Sequence, residues 1–293
     1  MVVTALSLVK EFHSLRTETA FRKTFSTGYS SLDEIVKLVK GRMMVVTGYP
    51  GCGKSEWLDA VLVNASLLHG WKTLYFSPEN YPIQEHVAKL AEKITGKWVR
   101  QLGTEEANTI LKFLNLHFAW VDIDREMPSI DMILERALER KEGLGLDCVV
   151  IDPWNGAGHP GFVNQREDQY LAEILTKTSY FARRHQLLMA IVAHPKTQIK
   201  TKEGKLPRCT VSDISGGSMW WNKVDYAVVC HREDRAKNQI EVELAKIKEK
   251  WFGTLGARFL DYDRKTGRFK CVEDKEFALP AEMCLPGTVP SPF

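Results

Sequence analysis

From Thr27 onward the chain alternates between short continuous apolar runs and stretches of helical period. The runs are Met43–Thr47, Thr73–Ser77, Leu116–Val121, Asp147–Ile151, Leu187–Ala193 and Tyr226–His231. Each is short enough for a strand and lacks the in–out alternation of a half-solvated one, so each reads as a strand covered on both faces. Helical patterns lie between most of them. Ser55 to His69 carries Trp57, Leu58, Val61, Leu62 and Leu68 for burial. Pro82 suits the first turn of a second helix. Ser129 is a candidate N-cap for a third, running to Lys141, and Gln165 to His185 forms a long fourth. Strands alternating with helices predict an α/β fold: a mostly parallel, twisted sheet flanked by helices. After Tyr226 the spacing tightens to Gln239–Lys246, Ala257–Tyr262 and Arg268–Val272. The turn at Lys265-Thr266-Gly267 points to an antiparallel C-terminal β extension.

The ends differ from this middle. Leu8, Phe12 and Leu15 recur at helical spacing, so residues 1–24 are expected to form a linker with a short amphipathic helix, folded back or docked on a neighbouring subunit. Residues 25–275 make one large domain. Pro280, Pro286, Pro290 and Pro292 mark 276–293 as an irregular tail.

Composition narrows the partners. A net charge of +3 over 293 residues confines any nucleic-acid surface to a local patch. The six cysteines are scattered without a C-x-x-C pair, which gives no zinc pattern and suits a reducing compartment. No apolar run is long enough to span a bilayer, so no membrane partner is expected.

The strongest chemical signal is Gly48-Tyr49-Pro50-Gly51-Cys52-Gly53-Lys54-Ser55. It fits G-x-x-x-x-G-K-[ST] and sits between a strand and a helix, the context a phosphate-binding loop requires. Backbone N–H groups and the helix N-terminus there face an anion. Lys54 reaches the β- and γ-phosphates of ATP, and the Ser55 hydroxyl binds Mg²⁺. Asp152 follows the apolar run Cys148–Ile151, where an acid at a core strand's carboxyl end would hold a water on Mg²⁺. Glu79, after Thr73–Ser77, is the candidate general base for the attacking water; the alternative is an acid at a helix start. His194, after Leu187–Ala193, is a candidate γ-phosphate sensor. Lys200, Lys202, Lys205 and Arg208 form a basic loop after it, suited to phosphate-backbone contacts without base specificity. The loop Asn155–Gly161 is a second candidate.

These motifs, in this order, resemble the RecA-like motor domain of DnaB/Twinkle-type hexameric replicative helicases, nearest the Twinkle and phage primase-helicase branch. The resemblance rests on residues 48–55, Ser77-Pro78-Glu79, Val149–Asp152, Ile191–Lys196, Asp213–Gly217 and Ala245–Gly256. It implies a homo-hexamer with ATP between adjacent subunits and loops that grip single-stranded DNA. It also implies a Lys-x-Arg pair acting on the neighbour's nucleotide, represented here by Lys248 and Lys250. Lysine supplies the charge without arginine's planar fork. The sequence reads as a motor alone, either naturally or as a piece of a longer chain; in the first case a separate primase or polymerase is the partner to look for, in a bacterial or phage-infected cytoplasm or another DNA-containing reducing compartment. The leading expectation is an ATP-driven translocase that unwinds duplex DNA. A RecA-like recombinase or accessory ATPase without unwinding, and a non-hydrolysing nucleotide-binding module, are the alternatives.

Overall fold

A computed structural model of the chain describes residues 3–10, 12–13, 23–123, 127–160, 166–196, 208–234 and 236–274. After the short helix α1 (Ser30–Asp33) come β1 (Met43–Thr47), α2 (Lys54–His69), β2 (Thr73–Phe76), α3 (Ile83–Thr95), α4 (Thr104–His117) and β3 (Phe118–Trp120). Then follow α5 (Ile130–Leu144), β4 (Cys148–Ile151), α6 (Glu167–His185), β5 (Leu188–Val192), α7 (Gly217–Lys223) and β6 (Tyr226–His231). The chain closes on β7 (Gln239–Ile247), β8 (Gly256–Tyr262) and β9 (Phe269–Cys271). Among the described residues the strands form one nine-stranded sheet in the order β3-β2-β4-β5-β1-β6-β7-β8-β9. It is parallel from β3 to β6 and antiparallel from β6 to β9.

The alternation of side chains along each strand divides the core between two faces. Met44 and Val46 of β1 point to a cluster built with Trp57, Leu58, Val61 and Leu62 of α2. Met43 and Val45 point to the opposite cluster, built with α5, α6 and Trp220 of α7. α2 is apolar almost all round because it is buried almost all round. Leu68, expected in its core, is instead 36% exposed in the last turn. Ser129 does cap α5, accepting from the Met132 amide at 3.3 Å.

Two elements depart from the sequence reading. α4 runs through His117, so Leu116 belongs to the helix and β3 shrinks to three residues. Pro82 precedes α3 as its N-cap rather than sitting inside the first turn. At the N-terminus a turn at Ala5–Leu8 leads into helix, with Leu6, Leu8 and Phe12 all exposed; Leu15 lies outside the described residues. No described helix is long and apolar enough to cross a membrane.

Candidate nucleotide site and the opposite sheet edge

The phosphate loop follows from the end of β1. Gly48 backs onto β6, where a Cβ would sit 2.2 Å from the Cys230 carbonyl oxygen, so only glycine lets the loop lie against the sheet. Gly53, at φ 90°, turns the chain into α2 as its N-cap. The Trp57 amide bonds the Gly53 carbonyl at 2.9 Å, which starts the helix and leaves earlier amides for an anion. Lys54 is buried, its ammonium donating to the carbonyls of Gly48 at 2.7 Å and Tyr49 at 3.2 Å. A buried cation held by neutral carbonyls is under-compensated, and a phosphate is the partner it lacks. Burial of Cys52 against this loop pushes its thiol pKa up, so it is an inert part of the packing.

Asp152 follows β4, its amide anchored to the Phe76 carbonyl at 2.9 Å. It is 3% exposed, and its Oδ1 has no hydrogen-bond partner among the described residues. Burial, with the charges of Asp59 and Glu79, raises its pKa to about 6; the nearby Ser55 hydroxyl and Lys54 act the other way. A buried carboxylate oxygen without a partner, beside a serine hydroxyl, is an all-oxygen donor set that fits Mg²⁺.

Glu79 lies on a short 3-10 turn, Pro78–Asn80, directly after β2. Its Oε1 is 3.4 Å from Nε2 of His194, which follows β5. The ends of β2, β4, β5 and β1 thus bring Glu79, Asp152, His194 and the phosphate loop to one edge of the sheet.

The lysine pair lies elsewhere. β7 ends at Ile247, so Lys248 and Lys250 fall in the turn that follows it. β7 runs antiparallel to β6, pairing Ile247 with Tyr226, and Tyr226 pairs with Met44 at the start of β1. The pair therefore sits at the opposite edge from the chain's own phosphate loop, roughly 16 Å away along five residues of β1. Lys248 donates to the Lys223 carbonyl at 3.0 Å and lies 3.7 Å from buried Asp225. Lys250 covers the Trp251 ring at 4.3 Å.

Lys200, Lys202 and Lys205 lie outside the described residues. Arg208 is described, and it pairs with Glu241 and, at 3.6 Å, with Glu243 on β7, in place of the open phosphate contact expected for it.

Sequence reasoning missed three groups, two beside the phosphate loop and one at the opposite edge with Lys248. Asp59, one turn after Ser55 on α2, is 3% exposed and pairs with His86 at 3.0 Å. The Trp120 indole N–H donates to Nδ1 of His86 at 3.0 Å, so His86 must turn its Nε2–H toward Asp59. Burial opposes ionisation of Asp59, yet His86 and Lys93 prevail and hold its pKa below the usual value. An acid four residues after Ser55 in an apolar helix was the available signal. Asp225 is the second: its Oδ2 accepts from the Met43 amide at 3.0 Å, and Arg183 and Lys248 face its Oδ1. Arg232, just past β6, has a buried Nε with no hydrogen-bond partner among the described residues, and its charge reaches Cys52 and Tyr262.

A strand–glycine loop–helix, an acid at the end of a nearby core strand and a glutamate–histidine pair at the same sheet edge define a P-loop NTPase. Residues 24–271 match the DnaB-like helicase C-terminal domain family, and the chain belongs to that family. It is 36% identical over 259 residues to the Twinkle homolog protein, chloroplastic/mitochondrial, of Arabidopsis thaliana, covering 83% of this chain and 36% of that protein. The chain thus spans about a third of the length of this curated relative. In fold it resembles a protein solved as an isolated ATPase domain, with a TM-score of 0.73 at 17% identity over 92% of this chain and 98% of that one. It also resembles a DnaB-like replicative helicase solved for its interactions with primase, with a TM-score of 0.72 at 16% identity over 92% of this chain and 68% of that one.

Proposed function

We propose that this chain is the ATP-hydrolysing motor of a ring-forming DNA helicase, one that translocates on single-stranded DNA and unwinds duplex during replication. The observation that carries the reading is the division of cationic groups between two sheet edges. One edge holds the phosphate loop, Asp152, Glu79 and His194; the other holds Lys248 and Lys250. A lysine pair that far from its own loop can meet nucleotide only on a neighbouring copy, and a chain carrying half of a site on each edge suits a closed ring of six.

In this reading the loop amides and Lys54 bind the phosphates, and Ser55 and Asp152 hold Mg²⁺. Mg²⁺ held by Ser55 and Asp152 would supply positive charge to the phosphates during transfer. Glu79 takes the proton of the attacking water. His194 orients Glu79 and meets the γ-phosphate, so its contact changes on hydrolysis. Lys248 and Lys250 of one subunit stabilise the next subunit's leaving phosphate. Single-stranded DNA is held by the segment after His194, and a primase or polymerase is the partner, in a DNA-containing compartment.

The test is ATP turnover with and without single-stranded DNA, followed by strand separation on a forked duplex. DNA-stimulated turnover with unwinding supports the helicase reading. Stimulated turnover without unwinding would favour the recombinase or accessory ATPase, and no turnover with intact nucleotide binding would favour a binding module.

A further inference from the structure

The loop that the sequence singles out after Asp152, Asn155–Gly161, is described through Pro160 and has no part in the nucleotide site. It is firmly held. The Gly156 amide bonds the Pro153 carbonyl at 3.0 Å, and the Gly158 amide bonds the Pro128 carbonyl at 2.9 Å. Held this way, Trp154 and His159 line a cavity of about 460 Å³ that reaches His194 and Lys196. The cavity opens at the carboxyl ends of β4 and β5, on the sheet face that carries Leu171 and Trp220. It is therefore beside the candidate sensor but on the opposite face of the sheet from α2.

Its walls are aromatic and already oriented. Trp154 and His159 are half-buried, with ring centres 5.0 Å apart and planes tilted by 36°. Buried rings back both of them. Trp220 meets Trp154 edge-on at 5.1 Å, and Tyr170 meets His159 edge-on at 5.6 Å. The polar atoms of these rings are engaged within the protein. His159 Nε2 donates to the Trp154 carbonyl at 3.1 Å, which fixes the tautomer because a carbonyl can only accept. Its Nδ1 accepts from the Tyr170 hydroxyl at 3.0 Å. Burial pushes the His159 pKa below its ordinary value, so the ring is neutral near neutral pH. The Trp220 indole N–H donates to the Ser215 carbonyl at 3.1 Å, and the Ser215 hydroxyl donates to Glu167.

This chemistry narrows the ligand. The volume lies within the roughly 300–1,000 Å³ of small-molecule sites. Walls whose polar atoms are already paired offer ring faces, so they select a flat aromatic group without reading its edges. Lys196 is exposed on the lining and puts a cation beside the rings. Glu167, the acid among the described lining residues, is turned to Ser215. A π-face next to a cation matches a nucleobase and its phosphate better than an apolar peptide side chain.

We propose that this cavity takes one nucleobase of single-stranded DNA, stacked on Trp154 and His159 with its phosphate at Lys196, as a sequence-tolerant grip beside the sensor. This rests on the reading of the chain as a translocase on single-stranded DNA.

The experiment uses the full chain with Mg²⁺ and a non-hydrolysable ATP analogue. Fluorescence anisotropy compares oligothymidine with an abasic strand of the same length and charge. Oligothymidine should bind about tenfold more tightly, within the range for one stacked base. Trp154→Ala should remove that difference by weakening oligothymidine alone, leaving the abasic strand and its salt slope as in wild type. Trp154→Phe keeps a ring and should retain most of the preference. Melting curves check folding. In parallel, wild type is irradiated with an oligomer carrying one iododeoxyuridine, which cross-links to rings it stacks on, and the cross-link should map to Trp154 or His159. Iododeoxyuridine monophosphate at the same concentration should leave both unlabelled; equal labelling by it assigns the cavity to free nucleotides and overturns the strand. Equal affinity for the two strands, or cross-links that all fall outside the cavity, also overturns the proposal. Should Trp154→Ala not fold, the wild-type cross-link decides alone. Failure to bind either strand defeats the single-stranded DNA reading itself and takes the base site with it, a result distinct from equal binding of both.

Discussion

His194 Nε2 stands 3.4 Å from Glu79 Oε1, joining two loop residues 115 positions apart across the end of β4. A histidine that donates to the candidate base holds its carboxylate in one orientation. Glu79→Gln keeps the shape of the group and removes its basicity. We expect nucleotide affinity to change little and turnover to fall by about 10²–10⁴-fold, the usual worth of a positioned base. His194→Ala leaves the base but frees its orientation, so a smaller loss with unchanged binding is expected. Fluorescent-nucleotide binding alongside phosphate release measures both, and normal turnover in Glu79→Gln removes that residue from catalysis.

Asp152 gives a prediction about stability. Its carboxyl titrates at about 6 when folded against 3.8 in a model peptide. The folded state therefore binds the extra proton between those values. The associated stability is complete below pH 3.8 and is lost as pH rises through about 6, on the order of 3 kcal/mol in all. With divalent cations chelated, Asp152→Asn should melt several degrees above wild type at pH 8, the gap closing toward pH 4. Adding Mg²⁺ and nucleotide should stabilise wild type more than the variant, which keeps the loop amides, Lys54 and Ser55 but loses one Mg²⁺ ligand. Equal melting curves at pH 8 would contradict the buried, uncompensated carboxylate.

The lysine pair predicts complementation between inactive chains. Lys250→Ala keeps its own phosphate loop but should hydrolyse slowly, and Lys54→Ala loses the phosphate clamp. Mixed together, the two should recover part of the turnover at interfaces that join an intact loop to an intact pair. Wild-type activity should also rise steeply with protein concentration. Full activity in Lys250→Ala, or in a protein shown by ultracentrifugation to be monomeric, contradicts the reading.

Replacing Lys200, Lys202 and Lys205 together with alanine should weaken binding to all single-stranded sequences about equally. Each lost phosphate contact should lower the slope of log affinity against log salt by about 0.7. Fluorescence anisotropy across a salt series reads this, and an unchanged slope assigns the three lysines to solvated surface.

The parallel half of the fold was legible because fully buried strands leave uninterrupted apolar runs. Met43–Thr47 and Tyr226–His231 have the same bounds in sequence and structure. Leu116 was misplaced because the last turn of α4 runs directly into β3, with no glycine or proline between them to mark the change of period. Lys54 and Ser55 were read from the glycine-rich motif between strand and helix, and Asp152 from an apolar run ending in an acid taken together with that motif. The ion pairs of Arg208 were not legible because a run of like charges gives no hint that one member reaches a carboxylate pair on a distant strand. Asp59, Asp225 and Arg232 stayed hidden for a related reason: each owes its role to partners brought in by tertiary packing, such as His86, Met43 and the phosphate loop.

If Lys248 and Lys250 act on a neighbour's nucleotide as proposed, their separation from their own phosphate loop makes each subunit directional, with a donor side and an acceptor side. Copies that meet through such sides form heterologous contacts. An open row then always ends on one loop that no lysine pair reaches and one pair that reaches no loop. Only closure removes both defects at once. Subunit loss or ring opening would therefore cost a complete active site each time, so the count of working sites becomes a direct report on whether the assembly is sealed.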